Sequence, residues 1–139
     1  MRHLFQNRIR HPFFPDLAAT PAGEARGRCA AVAGGFDDLA RAAAAGVEAR
    51  RAVYLLSHAN QNSNEGQREA LWRLFRVPVY GLLMEGGGRI VAWECEAQNG
   101  LHVEGSGAAG LGLREESPCA CGRPGARVLV TGAVPAGAD

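Results

Sequence analysis

The chain has no lysine: all 15 of its basic residues are arginine. That excludes Schiff-base chemistry, a Walker-type phosphate lysine, and any adenylation that draws its lysine from this chain. Arginine still grips anions through its planar fork, so phosphate binding as such stays open. Aromatic residues are scarce at 6%, and much of the 47% hydrophobic share is alanine. No apolar run approaches the roughly 20 residues of a membrane span. The N-terminus carries no signal-peptide apolar core, so a cytoplasmic protein is expected. Charge excess is missing too. A net charge of +1 gives no global case for nucleic acid or an anionic membrane.

Cysteine is sparse, with four residues, and in a reducing cytosol disulfides are rare. Cys95, Cys119 and Cys121 lie in the last third, while Cys29 stands alone. That distribution suits a metal site better than two bridges. Cys29 is read as a small buried apolar residue.

A chain of 139 residues buries roughly 68–70% of its unfolded surface, so a core without staples is attainable. Residues 1–28 mix five arginines with Pro12, Pro15 and Pro21 and read as an extended arm. Residues 29–131 read as a single α/β domain, and 132–139 as a flexible tail. Phe36, Leu39, Ala43 and Val47 are at helical spacing, and Asp37, Asp38 and Gly46 suit the ends of a helix over about 37–45. Val53–Leu56 reads as a buried strand. Asn64 and Gln67 suggest a capping box for a helix over 65–76 that buries Ala70, Leu71, Leu74 and Phe75. Residues 77–84 read as a second strand, so strand, helix and strand form a β-α-β unit. Gly86–Gly88 reads as a hairpin turn into "RIVAWECEA", "GLHVEG" as a further strand, and "GSGAAGLG" as a linker before a last strand. The expected fold is therefore α/β: a small mixed sheet built on a β-α-β unit plus a hairpin, with a zinc-clipped C-terminal region.

The constellation with the most chemistry is Cys95, His102, Cys119 and Cys121. Three thiolates and an imidazole satisfy zinc's preference for sulfur and nitrogen donors. Cys119-Ala-Cys121-Gly122 puts two sulfurs on one tight turn, where Gly122 can take a positive φ. Cys95 ends a strand and His102 follows a turn, so both can face one point. A metal clip is well suited to closing the long stretch between His102 and Cys119. The spacing C-x6-H-x16-C-x-C is not a standard finger spacing. The alternatives are three buried thiols with a solvated histidine, or a redox pair. Four protein ligands leave no open position, so the ion would be structural. Elsewhere, Ser57-His58 lacks a nucleophile elbow and reads as strand-end turn chemistry. Glu94 and Glu96 read as a solvated face, and Trp72 and Trp93 as core.

"QREALWRLFRVPVYGLLM", "WECEAQNGLHV" and "CACGRPGARV" follow one another in an order that resembles the late part of phenylacetate-CoA ligase-like adenylate-forming enzymes. The resemblance covers about residues 52–130, and "ECEAQNGLH" and "CxCGR" are its most specific pieces. Tyr80, Gly81 and Leu82 match the family's Tyr-Gly-Leu, but Leu83 and Met84 replace its Ser and metal-binding Glu. Its adenine turn becomes Ser57-His58-Ala59-Asn60, without the acid. The phosphate loop, the ribose-binding Arg-Asp and the lysine-bearing C-terminal domain have no counterpart. The resemblance thus implies a miniature, non-adenylating relative. Two functions follow as expectations. One is a non-catalytic zinc-stabilised module acting as an accessory or protein-interaction component, with a protein partner or a second copy docked on residues 3–17. The other is a small enzyme or binding protein that takes an aryl or acyl carboxylic acid, or a nucleotide, beside Tyr80 and His58.

Overall fold

The computed structural model describes residues 8–58, 65–84, 89–96, 101–103, 113–115, 119–123 and 127–129. The chain is α/β, with a mixed sheet and two helices among the described residues, and it divides into two compact units. The first comprises Met1–Leu56 and Gly66–Val79, the second Ser57–Glu65 and Tyr80–Asp139.

In the first unit, β1 (Ile9–His11) runs antiparallel to β2 (Phe14–Pro21), and β2 pairs in parallel with β3 (Arg28–Gly34). β3 in turn pairs in parallel with β4 (Glu48–His58), and α1 (Phe36–Ala44) is the crossover between them. The segment expected to be an arm is thus part of a sheet. Two of its three prolines sit where a missing donor does no harm, Pro12 in the turn after β1 and Pro21 at the end of β2, while Pro15 is the second residue of β2. Within the chain, half-buried Phe14 stacks on the fully buried His11 at 4.2 Å and Tyr54 tilts against it at 5.6 Å. The His11 ring also accepts the Phe13 amide through Nδ1 at 3.0 Å, which closes the turn.

α1 starts at Gly35 in extended geometry, with Asp37 and Asp38 in its first turn, where acidic side chains favour the helix dipole. It stops at Gly46, whose φ of 95° suits a residue without Cβ. There the Gly46 amide donates to Ala43 and the Val47 amide to Ala42, each at 3.0 Å, which satisfies two terminal carbonyls. Leu39 and Ala42 are its buried residues, and they join Val32, Val53, Leu55, Leu71, Phe75 and Val79 in one apolar core.

α2 (Glu65–Phe75) contributes Leu71 and Phe75 to that core. Trp72 and Leu74 were expected in the core but are 47% and 52% exposed. The buried stripe is the i, i+4 pair alone, and Arg76, at a left-handed φ of 61°, lays its guanidinium over the Trp72 ring at 4.7 Å. The Val53 amide donates to the Pro78 carbonyl at 2.9 Å, which brings the chain leading into β5 (Val79–Met84) beside β4.

In the second unit β5 runs antiparallel to β6 (Ile90–Trp93), β6 to β7 (Leu101–Val103), and β7 to β9 (Arg127–Leu129). β8 (Leu113–Glu115) adds antiparallel to the outer side of β9. Leu83, Val91 and Ala92 form a small apolar cluster here. The expected capping residue Asn64, the Gly86–Gly88 turn, the 105–112 linker and the 132–139 tail lie outside the described residues.

Candidate metal centre

Sheet register explains how two of the four donors meet. Trp93 of β6 pairs with His102 of β7, so their side chains share a face of the sheet. Cys95 lies two residues beyond Trp93, as the chain leaves β6. β9 flanks β7 on its other side and pairs Arg127 with His102. The other two donors come from the turn 119–122. Gly122 returns its amide to the Cys119 carbonyl at 3.0 Å with a φ of 87°, so both thiols project from one tight loop.

The ligating atoms of Cys95, His102, Cys119 and Cys121 all lie within 4.8 Å of one another. The Cys95 and Cys119 sulfurs are 3.6 Å apart, and Cys121 Sγ lies 3.6 Å from His102 Nε2. Neither separation is that of a bonded pair, since a disulfide holds its sulfurs at about 2.05 Å. A tetrahedral ion with metal–sulfur bonds of about 2.3 Å and metal–nitrogen bonds of about 2.05 Å has edges near 3.8 Å for S···S and 3.6 Å for S···N. The two measured separations match edges of such a tetrahedron, and the remaining donor pairs lie within 4.8 Å. Cys95, His102 and Cys119 are buried at 0%, 2% and 4% exposure, while Cys121 is half-buried. The residues present fit a metal ion.

The electrostatics suit ligation as well. Burial pushes the His102 pKa down from its ordinary value, helped by the Arg127 and Arg123 charges and opposed by Glu96. The imidazole is thus held neutral, as a ligand must be. For Cys121, burial is the largest single influence and opposes ionisation. Hydrogen bonds from the Arg123 backbone and guanidinium, with those of Cys119 and Cys95, nonetheless bring its pKa below the ordinary thiol value. The Arg123 amide lies 3.5 Å from Cys121 Sγ, and its guanidinium donates to Glu96 Oε1 at 2.8 Å. That pair was not anticipated from the sequence; the signal was an arginine two residues past the second cysteine of the C-x-C turn.

Of the two flanking acids, Glu96 is exposed as expected, but Glu94 is buried at 5%. Its carboxylate is drawn inside because it accepts the Gly81 amide at 2.6 Å. Tyr80 is half-buried, and its phenol is kept protonated by burial first and then by Glu96, Cys95 and Glu94. Leu83 is buried and Met84 half-buried on β5. Cys29 is half-buried, its thiol 3.7 Å from the Arg26 carbonyl, and stands apart from the cluster. The side chain of His58 lies outside the described residues. No family model and no curated protein matches the chain.

Proposed function

We infer that the ion is zinc and that its role is structural, in a non-catalytic α/β module that works by binding a protein partner or a second copy of itself. The observation that carries this reading is the convergence of three sulfurs and one imidazole nitrogen within 4.8 Å of one another, two of the pairs at 3.6 Å. Thiolate-rich tetrahedral sets favour zinc over the harder divalent ions. Four protein donors fill the tetrahedron, so no position is left for water or substrate. The ion would tie the exit of β6, strand β7 and the C-x-C turn together, segments that the short β7 and β9 strands alone hold weakly.

The kinship with acyl-activating ligases is a proposal on the same footing, and it is kinship without the chemistry. Where those enzymes carry Ser and a metal-binding Glu, this chain has Leu83, packed into an apolar cluster, and Met84. The decisive experiment is elemental analysis of protein purified without chelator, followed by thermal unfolding before and after metal removal. About one zinc per chain and a large loss of stability on stripping support the reading. Native protein free of metal, with an unaltered melt after chelation, overturns it.

A further inference from the structure

Among the four donors, Cys121 differs in its surroundings. The other three are buried to 4% exposure or less, whereas Cys121 is the one that solvent reaches. Exchange of a bound ion begins when one donor is protonated or displaced, and an accessible donor is where that starts. The residue that covers this donor is Arg123. Its amide lies 3.5 Å from Cys121 Sγ, and its guanidinium reaches back to Glu96 at 2.8 Å. Glu96 directly follows Cys95, so the Arg123–Glu96 pair joins the two donor-bearing segments across 27 residues of sequence. It does so outside the tetrahedron. A divalent ion with three thiolates and a neutral imidazole also carries a net negative charge, which a guanidinium beside it offsets.

We propose that Arg123, anchored on Glu96, is an outer-sphere clamp on Cys121 that sets how tightly the site holds its ion and how fast it releases it. The proposal rests on the metal reading above. Its distinctive content is that the clamp acts on the ion and leaves the fold alone. The two side chains are 31% and 52% exposed, and an ion pair that accessible contributes little to stability by itself. Outer-sphere partners of metal ligands, by contrast, typically change affinity by about 10–100-fold when removed. Arg123 is a positioning residue, since it holds a donor and touches no ion itself.

The test uses the full chain as wild type, Arg123→Ala and Glu96→Ala. Zinc affinity is measured by competition with a chromophoric chelator, and release by the rate of colour development. Cobalt substitution monitors the inner sphere through its thiolate charge-transfer band. The expected result is an affinity lower by about 10–100-fold in Arg123→Ala, with faster release. Glu96→Ala shifts in the same direction, and both variants show the wild-type cobalt band at saturation and the wild-type metal-free melt. Wild-type affinity and release rate in Arg123→Ala overturn the clamp while leaving the metal site standing. Loss of the cobalt band in that variant also overturns it, because the residue would then build the site rather than tune it. A wild-type protein that gives no cobalt band at all removes the metal reading, and the clamp with it.

Discussion

Gly81 and Glu94 hold each other twice. The Glu94 amide donates to the Gly81 carbonyl at 3.0 Å, and the Gly81 amide donates to the Glu94 carboxylate at 2.6 Å. The second bond takes up a carboxylate at a position where a pleated strand end would ordinarily send it to water. A Cβ at residue 81 would lie 3.4 Å from Glu94 Oε1, in van der Waals contact with the carboxylate.

Glu94→Ala is therefore expected to destabilise by about 1–3 kcal/mol, the usual cost of stranding a buried donor. Glu94→Gln should cost less, because its amide oxygen still accepts. Urea unfolding of the two variants beside wild type makes the comparison. Equal stability of Glu94→Ala and wild type would show that the Gly81 amide has found another partner.

Cys119→Ser should abolish stoichiometric zinc and destabilise severely, because structural zinc supplies on the order of 10 kcal/mol of apparent binding energy in folds of this kind. Cys29→Ser should bind metal as wild type does, since its thiol stands outside the cluster. Elemental analysis of both proteins is the check, and equal metal content would contradict the assigned donor set.

Metal retention should fall on acidification. Burial and two arginines depress the folded-state pKa of His102 below its ordinary 6.5. A base with a depressed pKa contributes stability that is present above the unfolded value and lost as pH falls through the folded one. Zinc binding should thus weaken throughout the fall from alkaline pH through neutrality, as protons compete for the thiolates, with protonation of His102 adding to the loss only at lower pH. A chelator titration at stepped pH reads this directly, and tighter binding at lower pH would contradict it.

In the first unit, Leu39→Ala should cost about 2–5 kcal/mol, because the side chain is fully buried and its removal leaves a void. Tyr54→Phe should cost about 0.5–1.5 kcal/mol, since the phenol donates to the Leu17 carbonyl at 2.8 Å. Calorimetric melting separates the two, and a larger loss from Tyr54→Phe would reverse the ranking of packing over polar contact at this core.

Acid-dependent exchange of pyrophosphate into ATP should stay at background with aryl and fatty acids. The chain has no lysine, and on the proposed kinship Leu83 and Met84 would stand where a ligase carries Ser and Glu. Exchange clearly above background would overturn the non-catalytic reading.

The parts of the fold that were legible from sequence are those where composition and period agree. α1 and α2 stand within a residue of where the alanine-rich stretch and the 65–76 pattern put them. The Cys95, His102, Cys119 and Cys121 cluster was legible because a group that could hold a metal depends on the identity of a few side chains rather than on propensity. β3 was not, since Arg-Cys-Ala-Ala-Val-Ala-Gly has low strand preference and becomes a strand only through parallel partners on both sides. β1 and β2 were hidden by Pro12, which directly follows β1, and by Pro15 and Pro21 within β2. Trp72 and Leu74 were misplaced because apolar residues at helical spacing indicate a stripe without giving its width, and Glu94 because alternation carries no word of a distant amide.

The order of the donors along the chain has a consequence for biosynthesis. Every residue of the first unit lies upstream of Cys95, and the last donor is Cys121. With synthesis at about 5–20 residues per second, the ribosome emits the whole first core before the first ligand and the complete ligand set only seconds later. A cell short of zinc would accumulate chains arrested at that one late step. The most informative reporter of cellular zinc for this protein would then be the protease sensitivity of its last third.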